Sequence, residues 1–195
     1  LGYGMFGSRG NVDGSSAAGV LHPGADDNAS GTAAALVAAR LLSERVAEMG
    51  DDGPRRSIMF LLFSAEEMGL LGAVDFVEKA YDNGTPISGD QIVAVVNLDM
   101  VGRVTNNVLE INGVATSRVW EDVFSAANED VEFDLEMNAP PGGRSDHAIF
   151  VRRGTPAVHV FSGLHDVYHR PQDTADTINF TGGARVSMLA AKAVE

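Results

Sequence analysis

The sequence contains no cysteine. Disulfides, thiolate metal sites and cysteine nucleophiles are therefore excluded together, while the compartment is left open. Basic residues are scarce: 14 lysines and arginines stand against 27 aspartates and glutamates, for a net charge of −13. That imbalance argues against a nucleic-acid phosphate backbone as partner and for good solubility, and carboxylates that hold a cation would absorb part of it. No apolar run approaches the roughly 20 residues a membrane span needs. Internal repeats and low-complexity tracts are missing as well. What is present is ordinary for a globular protein, with 45% hydrophobic and 21% charged residues over 195 positions. A chain of this size can bury roughly 70% of its unfolded surface in a single domain. It opens at Leu1 without a methionine or a signal peptide and stops at Glu195 inside a helical pattern of Val186, Leu189, Ala190 and Ala193. The expectation is one domain over residues 1–195, incomplete at both ends.

Residues 2–24 are rich in glycine and carry no periodicity, which predicts a long surface loop. A helix is predicted over 32–49, with Leu36, Leu41, Leu42, Val46 and Met49 on its inner face and Gly50 as its stop. The turn 51–54 feeds SIMFLLF (57–63), an apolar run without polar alternation that reads as a fully buried parallel strand. A helix over 70–81 follows, and then a second buried strand, IVAVVNL (92–98), which ends in Asp99. A short strand is expected at 108–111 and a helix at 117–128, with Val119, Trp120, Val123, Phe124 and Ala127 inward. Strict alternation over 131–137 marks a half-exposed strand. The loop 138–144 leads to a short helix containing Ser145, Asp146 and His147; a third buried strand (156–161), a polar loop (163–177) and a terminal helix complete the chain. Alternating helices and buried strands predict an α/β fold, a three-layer α/β/α arrangement around a mixed, mostly parallel sheet.

In such sheets ligands bind beyond the carboxyl ends of the strands. Asp27, Glu67, Asp99 and a histidine of the 163–177 loop all fall at strand ends or in the loops after them. Oxygen and imidazole groups without sulfur suit zinc, cobalt or manganese in a catalytic site. Glu66 and Glu67, adjacent after a strand, would point to opposite sides and so divide metal binding from proton transfer. Each residue also has a plainer reading. The two glutamates can be solvated residues opening a helix, Asp26 and Asp27 loop carboxylates near a helix start, and Asp146 and His147 a cap. His22 reads as a histidine of a flexible loop, His165 as a pocket or surface residue, and Asp173 with Thr174 as loop and cap residues.

Five strings occur in order: GADDNASG (24–31), SAEEMGLLG (64–72), NLDMVGR (97–103), GRSDHAIF (143–150) and YHRPQDT (168–174). Together they resemble the co-catalytic dizinc exopeptidases, a family that includes secreted bacterial aminopeptidases, glutamate carboxypeptidase II, the glutaminyl cyclases and the transferrin receptor ectodomain. The resemblance implies a zinc-exopeptidase-like fold and two zinc ions bridged by Asp27. Glu67 and His169 would complete the first metal's ligands and Asp99 would bind the second. It further implies Glu66 as general base, Tyr168 as oxyanion stabiliser, and a cis peptide between Asp27 and Asn28. The family's second metal also takes a histidine from a His-x-Asp motif upstream of the glycine-rich loop. The sequence as given starts at about that point, so the second site and at least one N-terminal strand are expected to be missing. Peptides would be the substrates, and a secreted or periplasmic setting is implied.

The function expected is therefore metal-dependent hydrolysis of N-terminal peptide bonds. A glutaminyl-cyclase-like acyltransferase with one zinc is the first alternative, separable by metal stoichiometry and by turnover of a peptide with N-terminal glutamine. A catalytically inactive binding module of the same fold is the second, opposed by the intact set Asp27, Glu66, Glu67, Asp99 and His169. Met100, Arg144 and Phe161 are candidate substrate contacts. The sequence carries no signal of oligomeric state.

Overall fold

The computed structural model describes residues 20–50, 56–83, 87–140 and 143–195. Most of the expected 2–24 loop, the 51–54 turn and the middle of the 138–144 loop lie outside these. Five helices are described: α1 (Gly31–Met49), α2 (Leu71–Glu78), α3 (Trp120–Asn128), α4 (His147–Arg152) and α5 (Phe180–Val194). They surround four strands, β1 (Val95–Leu98), β2 (Val108–Asn112), β3 (Asp134–Asn138) and β4 (Ala157–Phe161). The sheet order is β1-β4-β2-β3. The β1/β4 and β2/β3 pairs are parallel, and β2/β4 is antiparallel. Asn97 is paired with His159 across the β1/β4 ladder.

Period-two alternation along the strands sends their side chains to two separate cores. On one face Leu109, Ile111, Val158 and Val160 meet Ala34 of α1, Trp120 and Phe124 of α3, and Val186 and Leu189 of α5. On the other, Ala157 meets Ala73 and Val77 of α2 and Ile149 and Phe150 of α4, with Phe63 and Phe76 packed alongside. Helices thus cover both faces of a mixed sheet, which is the three-layer α/β/α fold. Among the described residues no helix is long and apolar enough to cross a membrane.

Three local expectations are corrected. Residues 57–63 form no ladder among the described residues. Leu61 and Phe63 pack on the second core, whereas Ile58, Met59, Phe60 and Leu62 are 40 to 58% exposed. An apolar run supplies side chains for burial, but a strand also needs a backbone neighbour, and among the described residues β1 pairs only with β4. Helix α1 starts and stops as expected, and Leu42 of its expected inner face is buried, but the rest of that face is shifted. Ala34, Ala38 and Leu42 are buried, while Leu36, Val46 and Met49 are exposed. Ala38 and Leu42 meet Ala191 of α5, and small side chains at the contact let two helices approach closely. Finally, β1 and β3 are shorter than the predicted 92–98 and 131–137. Val131 and Phe133 are buried as the alternation requires, yet Glu132 adopts a positive φ of 60° and the ladder begins only at Asp134.

Candidate metal centre

The segment Ala25–Ser30 is a wide turn in which Asp27 and Asn28 leave helical geometry, and the peptide bond between them is cis, as the resemblance implies. Its side chains satisfy backbone groups at and after the end of β1 and at the start of α1. The Asn28 side chain donates to the Leu98 carbonyl at 2.9 Å and accepts from the Gly31 and Met100 N–H groups at 3.0 and 3.1 Å. Asp26 accepts the Gly102 N–H at 2.7 Å, and the Ser30 hydroxyl accepts the Val101 N–H at 3.0 Å. These bonds tie the turn to the end of β1 and bring Asp27 toward Asp99.

Gly31 makes that approach possible, since a Cβ there would lie 2.1 Å from the Leu98 carbonyl oxygen and 2.3 Å from Asn28 Oδ1. Backbone on one side leaves no room to yield, so Gly31→Ala is expected to destabilise by about 1 to 3 kcal/mol. Urea unfolding checks it: the midpoint should fall at constant slope, and an unchanged midpoint would show the junction to be looser than described.

Glu66 and Glu67 stand in a single tight helical turn, Glu66–Met68, entered through Ala65 and left through Gly69, both with positive φ. This corrects the expected extended segment. Successive side chains in such a turn are about 120° apart, so the two carboxylates still diverge. Ring stacking of Tyr168 on His169, with centroids 3.6 Å apart, helps fix the imidazole.

The structure brings Asp27, Glu67 and His169 to one point. His169 Nε2 lies 2.9 Å from Asp27 Oδ2 and 2.9 Å from Glu67 Oε1. One ligand atom from each residue falls within 4.8 Å of the other two. Asp99 stands outside this compact trio. Its carboxylate accepts the Ser145 hydroxyl at 2.6 Å, the Asn97 amide donates to that same hydroxyl at 2.7 Å, and the His159 Nε2–H donates to the Asp99 carbonyl at 3.1 Å.

Electrostatically the pocket is an acid cluster short of positive charge. Burial, then the charges of Glu67, Asp99, Asp146 and Asp27, push Glu66 up to about 8. Burial likewise raises Glu67 and Asp99, opposed by the hydrogen bonds from His169 and Ser145 respectively. Burial beside Asp99 lifts Asp146 to about 6. Burial disfavours the charged His169, but the hydrogen bonds to Asp27 and Glu67 outweigh it and bring its pKa to about 9. Burial and the surrounding acids raise the Tyr168 hydroxyl, which stays protonated as a donor.

A cation reverses this logic, because it stabilises each carboxylate and takes the place of the proton. The residues fit one. Carboxylate oxygens and an imidazole nitrogen are both zinc ligands, and tetrahedral bonds of about 2.0 to 2.2 Å separate ligand atoms by roughly 3.4 Å, a slight opening of the observed contacts.

Other histidines take different places. His165 is half-buried, with Nε2 3.1 Å from Asp26 Oδ2 and Nδ1 3.3 Å from Arg103 Nη1. Arg103 can only donate, so Nδ1 accepts and the proton sits on Nε2, facing Asp26. His22 is 2% exposed rather than on a mobile surface, and lines a cavity of about 10 Å³ with Gly24, Asp27, His169, Arg170 and Asp173. His147, fully buried, stacks on His159 at 5.2 Å, and its pKa is depressed to about 4 by burial and that neighbour. Sequence reasoning missed the parts of Ser145, Asn97 and Asn28, whose partners lie 46 to 72 residues away with no local signature.

The family profile for peptidase family M28 matches residues 9–194. The chain belongs to that family. It is 32% identical over 167 residues to aminopeptidase YwaD of Bacillus subtilis, covering 80% of this chain and 34% of that protein. A probable leucine aminopeptidase of Arthroderma benhamiae is 27% identical over 168 residues, covering 80% and 43%. Among solved structures, a zinc aminopeptidase from Bacillus subtilis superposes with a TM-score of 0.72 at 29% identity, over 89% of this chain and 42% of that one. The aminopeptidase from Aneurinibacillus sp. strain AM-1 gives 0.70 at 27% identity, over 89% and 39%. This M28 chain spans about a third to two fifths of the length of these relatives.

Proposed function

We propose that the protein is a zinc-dependent aminopeptidase acting on peptides, with Asp27, Glu67 and His169 holding one metal and Asp27 with Asp99 contributing to a second. The observation that carries this reading is the convergence of the Asp27, Glu67 and His169 ligand atoms, with both carboxylates 2.9 Å from one imidazole nitrogen. Zinc, when bound there, supplies Lewis-acid polarisation of the scissile carbonyl and acidifies water. Glu66 sits beside the trio without a place in it, so its carboxylate is available to take the proton of the attacking water and return it to the leaving amine. The Tyr168 hydroxyl, held protonated, donates to the oxyanion that develops on the carbonyl oxygen. Ser145 bonds one carboxylate oxygen of Asp99 and His159 its carbonyl, which together fix the residue. The resemblance adds a secreted or periplasmic setting.

A single-metal acyl transfer on N-terminal glutamine is the second reading. It is favoured by one fact: among the described residues only one compact ligand trio is found. One experiment separates the two. The metal-free protein is titrated with zinc and assayed on a panel of aminoacyl chromogenic substrates and on a peptide with N-terminal glutamine. The aminopeptidase reading expects zinc-dependent release from the panel, and Glu67→Gln should weaken zinc binding markedly. Zinc uptake accompanied only by cyclisation of the glutamine peptide would replace it with the second reading, and no uptake would remove both.

A further inference from the structure

We propose that Asp173 is a positioning residue for the metal centre, the group that sets the spacing between Asp27 and His169. The inference rests on the metal-site reading above and extends it to a residue outside the ligand set. Asp173 is 1% exposed. Its carboxylate accepts the Asp26 N–H on both oxygens, at 3.0 and 3.1 Å, and the Asp27 N–H at 3.0 Å. Its own carbonyl accepts the Ala25 N–H at 3.1 Å. Three consecutive backbone donors are thus given to one residue. They need an external acceptor because the chain enters this turn through Gly24 in the left-handed region and leaves helical geometry at Asp27. Successive N–H groups aimed at one anion are how backbone holds a buried negative charge.

The consequence lies in where Asp173 stands. It follows His169 by four residues on one compact loop, in which Arg170 donates to the Val167 carbonyl and Asp173 to the Arg170 carbonyl, at 3.0 and 3.1 Å. Asp27 is therefore held at both ends from the same short segment: its N–H by Asp173 and its carboxylate by His169 Nε2. The contacts close a ring, from the Asp27 main chain through Asp173 and the loop to His169 and back to the Asp27 side chain. Neighbouring Asp26, gripped by Gly102 and His165, anchors the ring to the segment after Asp99. An asparagine at 173 keeps the shape but has only one acceptor oxygen, and its NH₂ would face a backbone N–H. Contacts would be lost, and the two ligands would no longer be held at a set separation.

The test compares wild type, Asp173→Asn and, as a control, Ser187→Ala, which removes a hydroxyl bonded to Gly183 within α5, away from the metal ligands. Zinc affinity is measured by chelator competition, and ligand geometry by the visible spectrum of the cobalt-loaded protein. Asp173→Asn is expected to bind zinc about 10 to 100 times more weakly, with a shifted cobalt spectrum, while the control matches wild type. A folded Asp173→Asn protein that binds zinc within about twofold of wild type and shows its cobalt spectrum would overturn the inference and leave the metal-site reading standing. Wild type that takes up no zinc would remove that reading and the role of Asp173 with it. Should Asp173→Asn not fold, hydrogen exchange of the wild type decides. The Asp26 and Asp27 amides should gain about tenfold protection or more on zinc loading, and unchanged protection would show that the ligands and the Asp173 contacts are not coupled.

Discussion

Glu66→Gln is expected to keep zinc and to lose about a hundredfold or more of turnover, because the amide preserves the shape of the side chain but cannot accept the proton of the attacking water. The same substitution has an opposite, measurable effect on the metal-free protein. Burial and four neighbouring acids raise Glu66 from an ordinary 4.5 to about 8. A carboxyl whose folded pKa exceeds its unfolded one makes the folded state bind the extra proton. Its contribution therefore favours folding at low pH and is lost as pH rises from about 4.5 toward 8. Glutamine does not titrate, so the metal-free variant should melt at a higher temperature than metal-free wild type at pH 8, with the gap closing near pH 4. Turnover and metal content at pH 7, with thermal melts across that range, check both halves. A variant that has lost zinc would exchange the roles of the two glutamates. One that retains full turnover would place the base elsewhere.

Legibility followed the range over which each feature is encoded. Helix α1 could be bounded because Gly50 is a local signal, and Val131 and Phe133 could be placed in the core because period two is local as well. The inner face of α1 was only partly legible: Leu42 is buried as expected, but Leu36 is exposed while Ala34 and Ala38 are buried. It depends on Ala191 of α5, roughly 150 positions away, where alanines allow close helix contact and leucines do not. Asp27, Glu67 and His169 could be named from their strings and are found together. The groups that hold them in place were not readable, since Asp173 meets Asp26 and Asp27 across 147 and 146 positions and Ser145 meets Asp99 across 46. Asp173 looked like a loop residue because nothing adjacent to it in sequence says that three N–H groups will need an acceptor. His22 failed for the same reason: burial of a polar side chain in a loop is decided by what packs over it.

The 195-residue chain purified alone is expected to self-associate at micromolar concentration, and the structure locates the cause. Ile58, Met59, Phe60 and Leu62 are 40, 41, 42 and 58% exposed, and Val93, just ahead of β1, is 50% exposed. Among the described residues, β1 pairs on one side only, with β4, so its other edge presents unpaired N–H and C=O groups. A six- to seven-residue apolar run with high β-propensity and no charge is the kind of segment that pairs edge to edge between chains. The net charge of −13 opposes association at long range, but it is screened beyond about 8 Å at physiological salt, while hydrogen bonding between edges acts at contact. One charge within the run should therefore be enough. Leu62→Lys places an ammonium on an exposed side chain, where it costs the fold little and must be desolvated if a second chain pairs there. Light scattering coupled to gel filtration should show assemblies for wild type that grow with concentration and with salt, and a predominantly monomeric Leu62→Lys protein under the same conditions. Salt separates this account from a purely electrostatic one, since attraction between unlike charges would weaken as salt rises. Wild type that stays monomeric at about 100 µM in 0.5 M salt would show that the edge and its apolar flank are shielded in solution.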